Sequence, residues 1–349
     1  MALLQSALDE LYLFWSFING ASFSKIRLSE NHTFLVSLGD QKWILRLTPD
    51  HHKQYNQIES ELNFILCLGE AEDLNTCPPI KGDNGNYICS VAPYNSDEKW
   101  WAVLFTHAQG VSCENFTAFT NPYLIEEWGR VVGRMHKKIS SLGWQVDENT
   151  PERWKIALRS TPQYYETHSG ALTEERIEEL AAESETGKLV AERWKMIKEK
   201  LRNYPKLNSN YGIIHGDLTM GNYFGEFDEN NKPIRLWVFD FDQSQFNWLA
   251  VDIAVAFYFA RFLGTHGWCG VKIEGLVIEE FEKIFLKGYT AEYQGMSLED
   301  LELFNDLREL YNVSISIDAM HKLKLGTQFF DPDIVTFVNH LIASFPLKK

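Results

Sequence analysis

His215-Gly216-Asp217-Leu218-Thr219-Met220-Gly221-Asn222 and Val238-Phe239-Asp240-Phe241-Asp242 carry the residues of this chain best suited to chemistry. Asp217 follows an apolar strand-like run and a glycine, which places it on a tight loop at a strand end. A carboxylate there accepts a hydrogen bond from a substrate hydroxyl and takes its proton as the bond to phosphorus forms. Asn222 offers a neutral oxygen, and Asp240 closes the apolar run Leu236-Trp237-Val238-Phe239 with an anionic one. Mg²⁺ is a hard cation that takes such oxygens. A base, an amide and a second carboxylate in this order suit phosphoryl transfer, where metal and base act against nucleotide phosphates. Asp242 is either a further metal contact or a cap for the next turn. Taken singly these signals are weak, since an H-G-D tripeptide commonly marks a plain turn. The ordered set is more specific, because it also demands a nucleotide-binding lobe upstream.

The elements that must position these residues divide the chain in two. Thr33–Leu38 and Lys42–Leu47 alternate as strands around Gly39-Asp40, a hairpin signal. Alternation puts Trp43, Leu45 and Leu47 on one face and Ile44 and Arg46 on the other. Gln57–Gly69 reads as a helix with Ile58, Leu62, Ile65 and Leu66 at helical spacing, and Tyr87–Ala92 and Trp100–Thr106 as further strands. The second half is mostly helical. Tyr123–Ser140 is strongly amphipathic, and Thr173–Tyr204 is charge-rich, with glutamates 174, 175, 178, 179, 183 and 185 forming either a solvated face or an acidic patch for a cation. A strand at Gly212–His215, the loop with Asp217, and a hairpin of Tyr223–Phe227 with Arg235–Phe239 complete the site. The expected division is 1–104 for a nucleotide-binding lobe, 105–110 for a hinge and 111–349 for a catalytic and substrate lobe.

Bulk properties narrow the function. The chain has 349 residues, 45% of them hydrophobic and 14% aromatic. It is long enough for two lobes with real cores. The net charge of −15 disfavours nucleic acid as a partner. The five cysteines fall in no metal-ligand or redox spacing, which fits reduced thiols and a cytoplasmic location. Met1–Ser16 reads as an amphipathic helix, not a signal peptide. Ile253–Leu263 is apolar but too short to span a bilayer, so no membrane association is expected.

On these motifs the chain resembles the aminoglycoside phosphotransferase and choline kinase-like family, small-molecule relatives of the protein kinases. HGDLTMGN matches the family's H-G-D-x-x-x-x-N, VFDFD its I-D-F/W segment, and Ala250-Val251-Asp252-Ile253-Ala254 its D-[IL]-A. The resemblance implies an α+β, bilobal protein-kinase-like fold with a small antiparallel-sheet N-lobe and a mostly helical C-lobe. It implies ATP as phosphate donor, with GTP the alternative, and Mg²⁺. Asp217 would be the catalytic base, Asn222 and Asp240 metal ligands, and His215 and Asp252 structural, Asp252 bracing the catalytic loop. Arg46 would replace the nucleotide-contacting lysine of the kinase strand, keeping its charge in a longer, forked side chain. Glu61, with Glu59 a competitor, would be its helix partner. Ile44 would enter the adenine pocket, Ser29 and Asn31 would hold the phosphate loop, and Phe105, Thr106 and His107 would form the hinge. His136 is similar to a structural histidine at the family's helix end.

Only eleven residues separate Asp240 from Asp252. A peptide-binding activation segment needs more, so a small-molecule hydroxyl acceptor is favoured over a protein. Candidate substrate contacts are Asp242, Thr219, Tyr258 and Arg261, with Tyr289, Asp306, Arg308 and Asp318 further options. Acidic groups would suit an amine, which points to an aminoalcohol or amino-acid-like compound. The Asp-Phe-Asp run followed by Phe246-Asn247-Trp248 is similar to the type II homoserine kinase and stress-response kinase-like branch. The competing readings are a nucleotide-binding regulator without catalysis, suggested by Arg46 and the glycine-free loop, a stress-response protein Ser/Thr kinase, and a helical interaction protein. A monomer or a homodimer is expected.

Overall fold

The computed structural model describes residues 3–28, 31–94, 98–114, 116–143, 178–179, 182, 185–267 and 273–324. They form two compact units, the first from Met1–Cys113 and Asn222–Asp242, the second from the remaining described residues. Seven α-helices and eleven strands are present among the described residues.

The first unit begins with α1 (Gln5–Phe14) and a sheet of β1 (Ser22–Leu28), β2 (His32–Leu38) and β3 (Gln41–Pro49). It continues through α2 (Tyr55–Leu68), β4 (Asn75–Thr76), β5 (Ile88–Val91), β6 (Trp100–Thr106) and β7 (Val111–Ser112). Strands β1, β2, β3, β6 and β5 lie side by side in that order, antiparallel throughout. Leu38 pairs with Gln41 across a two-residue turn, and Gly39 supplies its left-handed backbone at φ +59°. Leu45 and Leu47 of β3 point into a core with Phe34, Val36, Ala102 and Leu104, closed by Leu11 of α1 and by Trp15 just after it. Burying side chains of this size stabilises by roughly 1.5–3 kcal/mol each. Arg46 lies on the opposite face of β3, buried, and reaches Glu61 on α2.

The next strand, β8 (Tyr211–Ile214), belongs to the second unit, and the hairpin of β9 (Tyr223–Phe227) and β10 (Pro233–Val238) returns to the first. β10 pairs parallel with β4, and β9 pairs antiparallel with β7. This departs from the expected division, which gave the hairpin to the second half of the chain. The short pairings with β4 and β7 hold it to the sheet-bearing unit. Gly110 makes one of these approaches possible: its φ is +85°, and a Cβ there would lie 2.1 Å from the carbonyl oxygen of Gly225 on β9.

In the second unit β8 pairs antiparallel with β11 (Gln245–Trp248), Ile214 opposite Gln245. Around them stand α3 (Pro122–Leu142), α4 (Glu185–Arg202), α5 (Ala250–His266), α6 (Ile278–Glu292) and α7 (Leu301–Lys324). Asn121 caps α3 by accepting from the N–H groups of Tyr123 and Leu124, with Pro122 at the first helical position. Helices α3 and α6 approach backbone to backbone, since a Cβ at Gly288 would fall 1.9 Å from the carbonyl oxygen of Glu126. Helix α5 is buried along Ile253–Phe257, and no helix of the described residues is long and apolar enough to cross a membrane. Glu178, Glu179 and Glu185 are exposed, while Glu174, Glu175 and Glu183 lie outside the described residues. Cys67, Cys77, Cys89 and Cys113 are free and buried, and burial pushes the Cys77 and Cys113 thiols up to about 12. Cys269 lies outside the described residues.

Candidate active site

Strand β8 ends at Ile214 and delivers His215, Gly216 and Asp217 to a loop whose backbone is pinned by one carboxylate. Asp252, fully buried in the first turn of α5, accepts the N–H of His215 at 3.0 Å and that of Gly216 at 2.8 Å. His136 of α3 stands 3.4 Å from Asp252 through Nε2, and its Nδ1 lies 3.0 Å from the Tyr289 hydroxyl. An imidazole that donates to Asp252 and accepts from Tyr289 uses both nitrogens. Gly216 has φ +85°, and a Cβ would meet the Gln243 carbonyl oxygen at 2.6 Å, so this position requires glycine.

The Asp217 side chain is 36% exposed, open to a substrate while its backbone is held. Arg308 of α7, itself buried, donates from Nη1 to the Gly216 carbonyl at 3.1 Å and from Nη2 to Asp217 Oδ1 at 3.3 Å. A small recess of mixed character lies beside this pair, lined by Gln243, Gln245, Asn247, Arg308 and Tyr311 together with Val251 and Leu307.

In the first unit a second set of charges meets inside the protein. Arg46 forms a forked pair with Glu61, Nη1 to Oε1 at 2.6 Å and Nη2 to Oε2 at 3.0 Å, the geometry that suits guanidinium to carboxylate. The geometry selects Glu61 over Glu59 as the helix partner. The Arg46 guanidinium also lies 5.2 Å from the centre of the Phe105 ring. Lys53, in the loop before α2, bonds Glu61 Oε2 at 3.1 Å and Asp242 Oδ1 at 2.6 Å. Burial alone would raise the Glu61 pKa, but Arg46 and Lys53 more than offset it and hold the carboxyl below its ordinary value. Burial works against the Lys53 charge in the same way, and Asp242 and Glu61 turn the balance, leaving it above the ordinary lysine value.

These shifts set a pH window. A carboxyl with a lowered folded pKa contributes stability that is complete above its unfolded value and lost as pH falls through the folded one. A lysine with a raised pKa contributes below its unfolded value and ceases to do so as pH rises past the folded one. The network is therefore whole between the ordinary values of 4.5 and 10.5. Glu61→Gln leaves two buried cations facing one carboxylate and is expected to destabilise the protein by about 3–5 kcal/mol at neutral pH. Its loss of melting temperature below pH 4.5 should be shallower than that of the wild type, as thermal scans across pH would record.

The hairpin governs the two candidate metal ligands. Val238 pairs with Tyr223, and the Phe239 N–H donates to the Asn222 carbonyl at 3.2 Å, so Asn222 and Asp240 flank the open end of the hairpin, opposite its turn. Asn222 is buried, whereas Asp240 is exposed and has φ +64°, a left-handed backbone uncommon outside glycine. Strained positions of this kind cluster at functional sites.

The remaining candidates are placed as follows. Ile44 is half-buried opposite Phe105 in the β3–β6 register. The Thr106 N–H donates to the Pro78 carbonyl at 3.0 Å, and His107 meets the Phe224 ring edge-on. Asn31 accepts from the Thr48 hydroxyl at 2.7 Å, while Ser29 lies outside the described residues. Thr219 is half-buried two residues past Asp217, its N–H donating to the Asp217 carbonyl at 2.8 Å. Asp242 is buried against Lys53. Tyr258 is buried with no hydrogen-bond partner for its hydroxyl among the described residues. Arg261 is engaged by Glu282 at 2.5 Å and Glu302 at 2.7 Å, and Asp306 by Arg193 at 3.5 Å. The side chain of Asp318 lies outside the described residues. Sequence reasoning missed Lys53, because His51-His52-Lys53 has the composition of any polar connection and its partner Asp242 is 189 residues away.

Comparison with known proteins agrees with this architecture. A family model described as "Phosphotransferase enzyme family" matches residues 24–297. Amicoumacin kinase of Bacillus subtilis (strain 168) is 23% identical over 266 residues, 76% of this chain and 70% of that one. Among solved structures, the amicoumacin kinase hAmiN in complex with AMP-PNP, Ca²⁺ and Ami has a TM-score of 0.72 at 20% identity, covering 97% of this chain and 92% of that one. The microcompartment-associated aminopropanol kinase has a TM-score of 0.69 at 18% identity, covering 96% and 94%. Both likenesses show the fold. The relatives do not support the homoserine kinase branch that the Asp-Phe-Asp run suggested.

Proposed function

The chain belongs to the phosphotransferase enzyme family, and from that premise we propose that it moves the γ-phosphate of ATP, assisted by Mg²⁺, to a hydroxyl of a small aminoalcohol or amino-acid-like compound. The observation that carries this reading is Asp217: its carboxylate is partly open, on a loop pinned through two N–H groups by Asp252. Asp217 accepts the acceptor's hydroxyl proton as that oxygen bonds to the γ-phosphorus and the bond to ADP breaks. Arg308 orients the Asp217 carboxylate from the side of α7. Asn222 and Asp240 fit Mg²⁺, offering one neutral and one anionic oxygen from the open end of one hairpin. The metal, when bound, neutralises charge on the nucleotide phosphates. Arg46, fixed by Glu61, supplies the cation that faces the phosphates from β3.

The amine in the acceptor is supported by the net charge of −15 and by the relatives, one of which carries aminopropanol in its name. Purified protein with ATP and Mg²⁺ should consume ATP on addition of hydroxylated amines such as aminopropanol, ethanolamine or an aminoglycoside. Loss of ATP with none of these, alongside consumption with hydroxylated compounds lacking an amine, would contradict the acceptor class. Binding of ATP with no consumption under any acceptor would favour a nucleotide-binding regulator.

A further inference from the structure

Asp240 occupies a backbone region that its side chain disfavours, at φ +64°. Such a conformation persists only where the surroundings over-determine it. Its upstream side is fixed by the ladder, through Val238 opposite Tyr223 and the Phe239 N–H on the Asn222 carbonyl. Downstream, Phe241 is buried with its ring edge-on to Phe64 of α2, centroids 5.7 Å apart. The next residue, Asp242, is gripped twice by one side chain. Lys53 Nζ lies 2.6 Å from Asp242 Oδ1 and donates to the main-chain carbonyl of Asp242 at 2.5 Å.

The same ammonium donates to Glu61 Oε2 at 3.1 Å. The ammonium thus donates to the main chain of the turn and to α2, and pairs its charge with the Asp242 carboxylate. The enclosed charges balance, with Arg46 and Lys53 against Glu61 and Asp242, and His52 Nε2 lies 3.6 Å from Asp242 Oδ2. A buried carboxylate two residues beyond Asp240 could be left as an ordinary cap. The contact to its carbonyl as well as its carboxylate makes the grip a restraint on the backbone itself.

We propose that Lys53 is a positioning residue for metal binding, which holds the 240–242 turn so that Asp240 stands beside Asn222 and ties that turn to α2 through Glu61. This rests on the reading of Asn222 and Asp240 as metal ligands. Lys53 touches neither the metal nor the substrate in this role. Partners that orient metal ligands from behind are often worth 10–100-fold in metal affinity.

The test is calorimetric titration with AMP-PNP, in EDTA and across a series of fixed Mn²⁺ concentrations, on the whole chain. Each variant is measured below its own melting temperature. Wild type should bind AMP-PNP more tightly with Mn²⁺ than without. Lys53→Met should lose about 10–100-fold in Mn²⁺ affinity while binding AMP-PNP in EDTA as the wild type does. Lys53→Arg, which keeps charge and donors, should recover part of the loss. Asp242→Asn keeps the side-chain shape and carries the same expectation if Lys53→Met does not fold. A folded variant that melts lower yet keeps the full Mn²⁺ effect would overturn the proposal, leaving Lys53 a stabilising residue only. No Mn²⁺ effect in the wild type would instead overturn the reading of Asn222 and Asp240, and the proposal with it.

Discussion

Asp217→Asn should lower the turnover number by about 10²–10⁴-fold, the usual contribution of a positioned general base. The asparagine keeps the shape of the side chain and an oxygen for Arg308, so the loop should hold. Arg308 retains the Gly216 carbonyl at 3.1 Å, and Asp252 retains both backbone N–H groups. Melting temperature and AMP-PNP affinity are therefore expected to stay near those of the wild type, and only the chemical step to fail. Steady-state kinetics with a thermal scan on the same preparation check this. An equal fall in stability and rate would mean that Asp217 serves the loop and not the reaction.

Asp252→Ala acts from the opposite direction. It removes the acceptor for two buried N–H groups and the partner of His136 at once. Each buried donor left without a partner costs about 1–3 kcal/mol. A total near 3 kcal/mol corresponds to a fall of about 6–12 °C in melting temperature for a unit of this size. Activity should fall as well, because Gly216 and Asp217 lose their anchor. Asp252→Asn should lie between, since an amide has one accepting oxygen and turns its own donors toward donors. Circular dichroism melts of both variants against the wild type give the order directly.

Much of the frame was legible in the residues themselves. Alternation in Lys42–Leu47 separates Leu45 and Leu47 from Arg46, and these side chains do face opposite ways. The Gly39-Asp40 turn was legible because a two-residue hairpin needs the left-handed backbone that glycine allows. β1 was not, because it is an edge strand whose seven residues are almost all exposed, and a strand with no buried face leaves no alternation to read. β11 was hidden in a run whose pairing with β8 is long-range.

The site was legible where its residues are close in sequence and opaque where they are not. Asp217, Asn222 and Asp240 stood out by spacing. Lys53 is drawn in by packing from a polar loop, where lysine is an ordinary surface residue, and Arg308, expected only as an optional substrate contact, bonds Asp217 from the middle of a helix. The branch suggested by the Asp-Phe-Asp run and Phe246-Asn247-Trp248 rested on two short segments, and the longer comparison across 266 residues, 23% identical to an amicoumacin kinase, does not support it.

The central claim is that this chain transfers the terminal phosphate of ATP to a hydroxyl with Asp217 as base. Phosphorus NMR of a mixture of protein, ATP, Mg²⁺ and an aminoalcohol follows donor and product together. The account predicts that the γ-phosphate signal is replaced by a phosphomonoester signal matched by ADP in equal amount, and that Asp217→Asn gives neither. A phosphomonoester formed at the wild-type rate by the Asp217→Asn protein would contradict it.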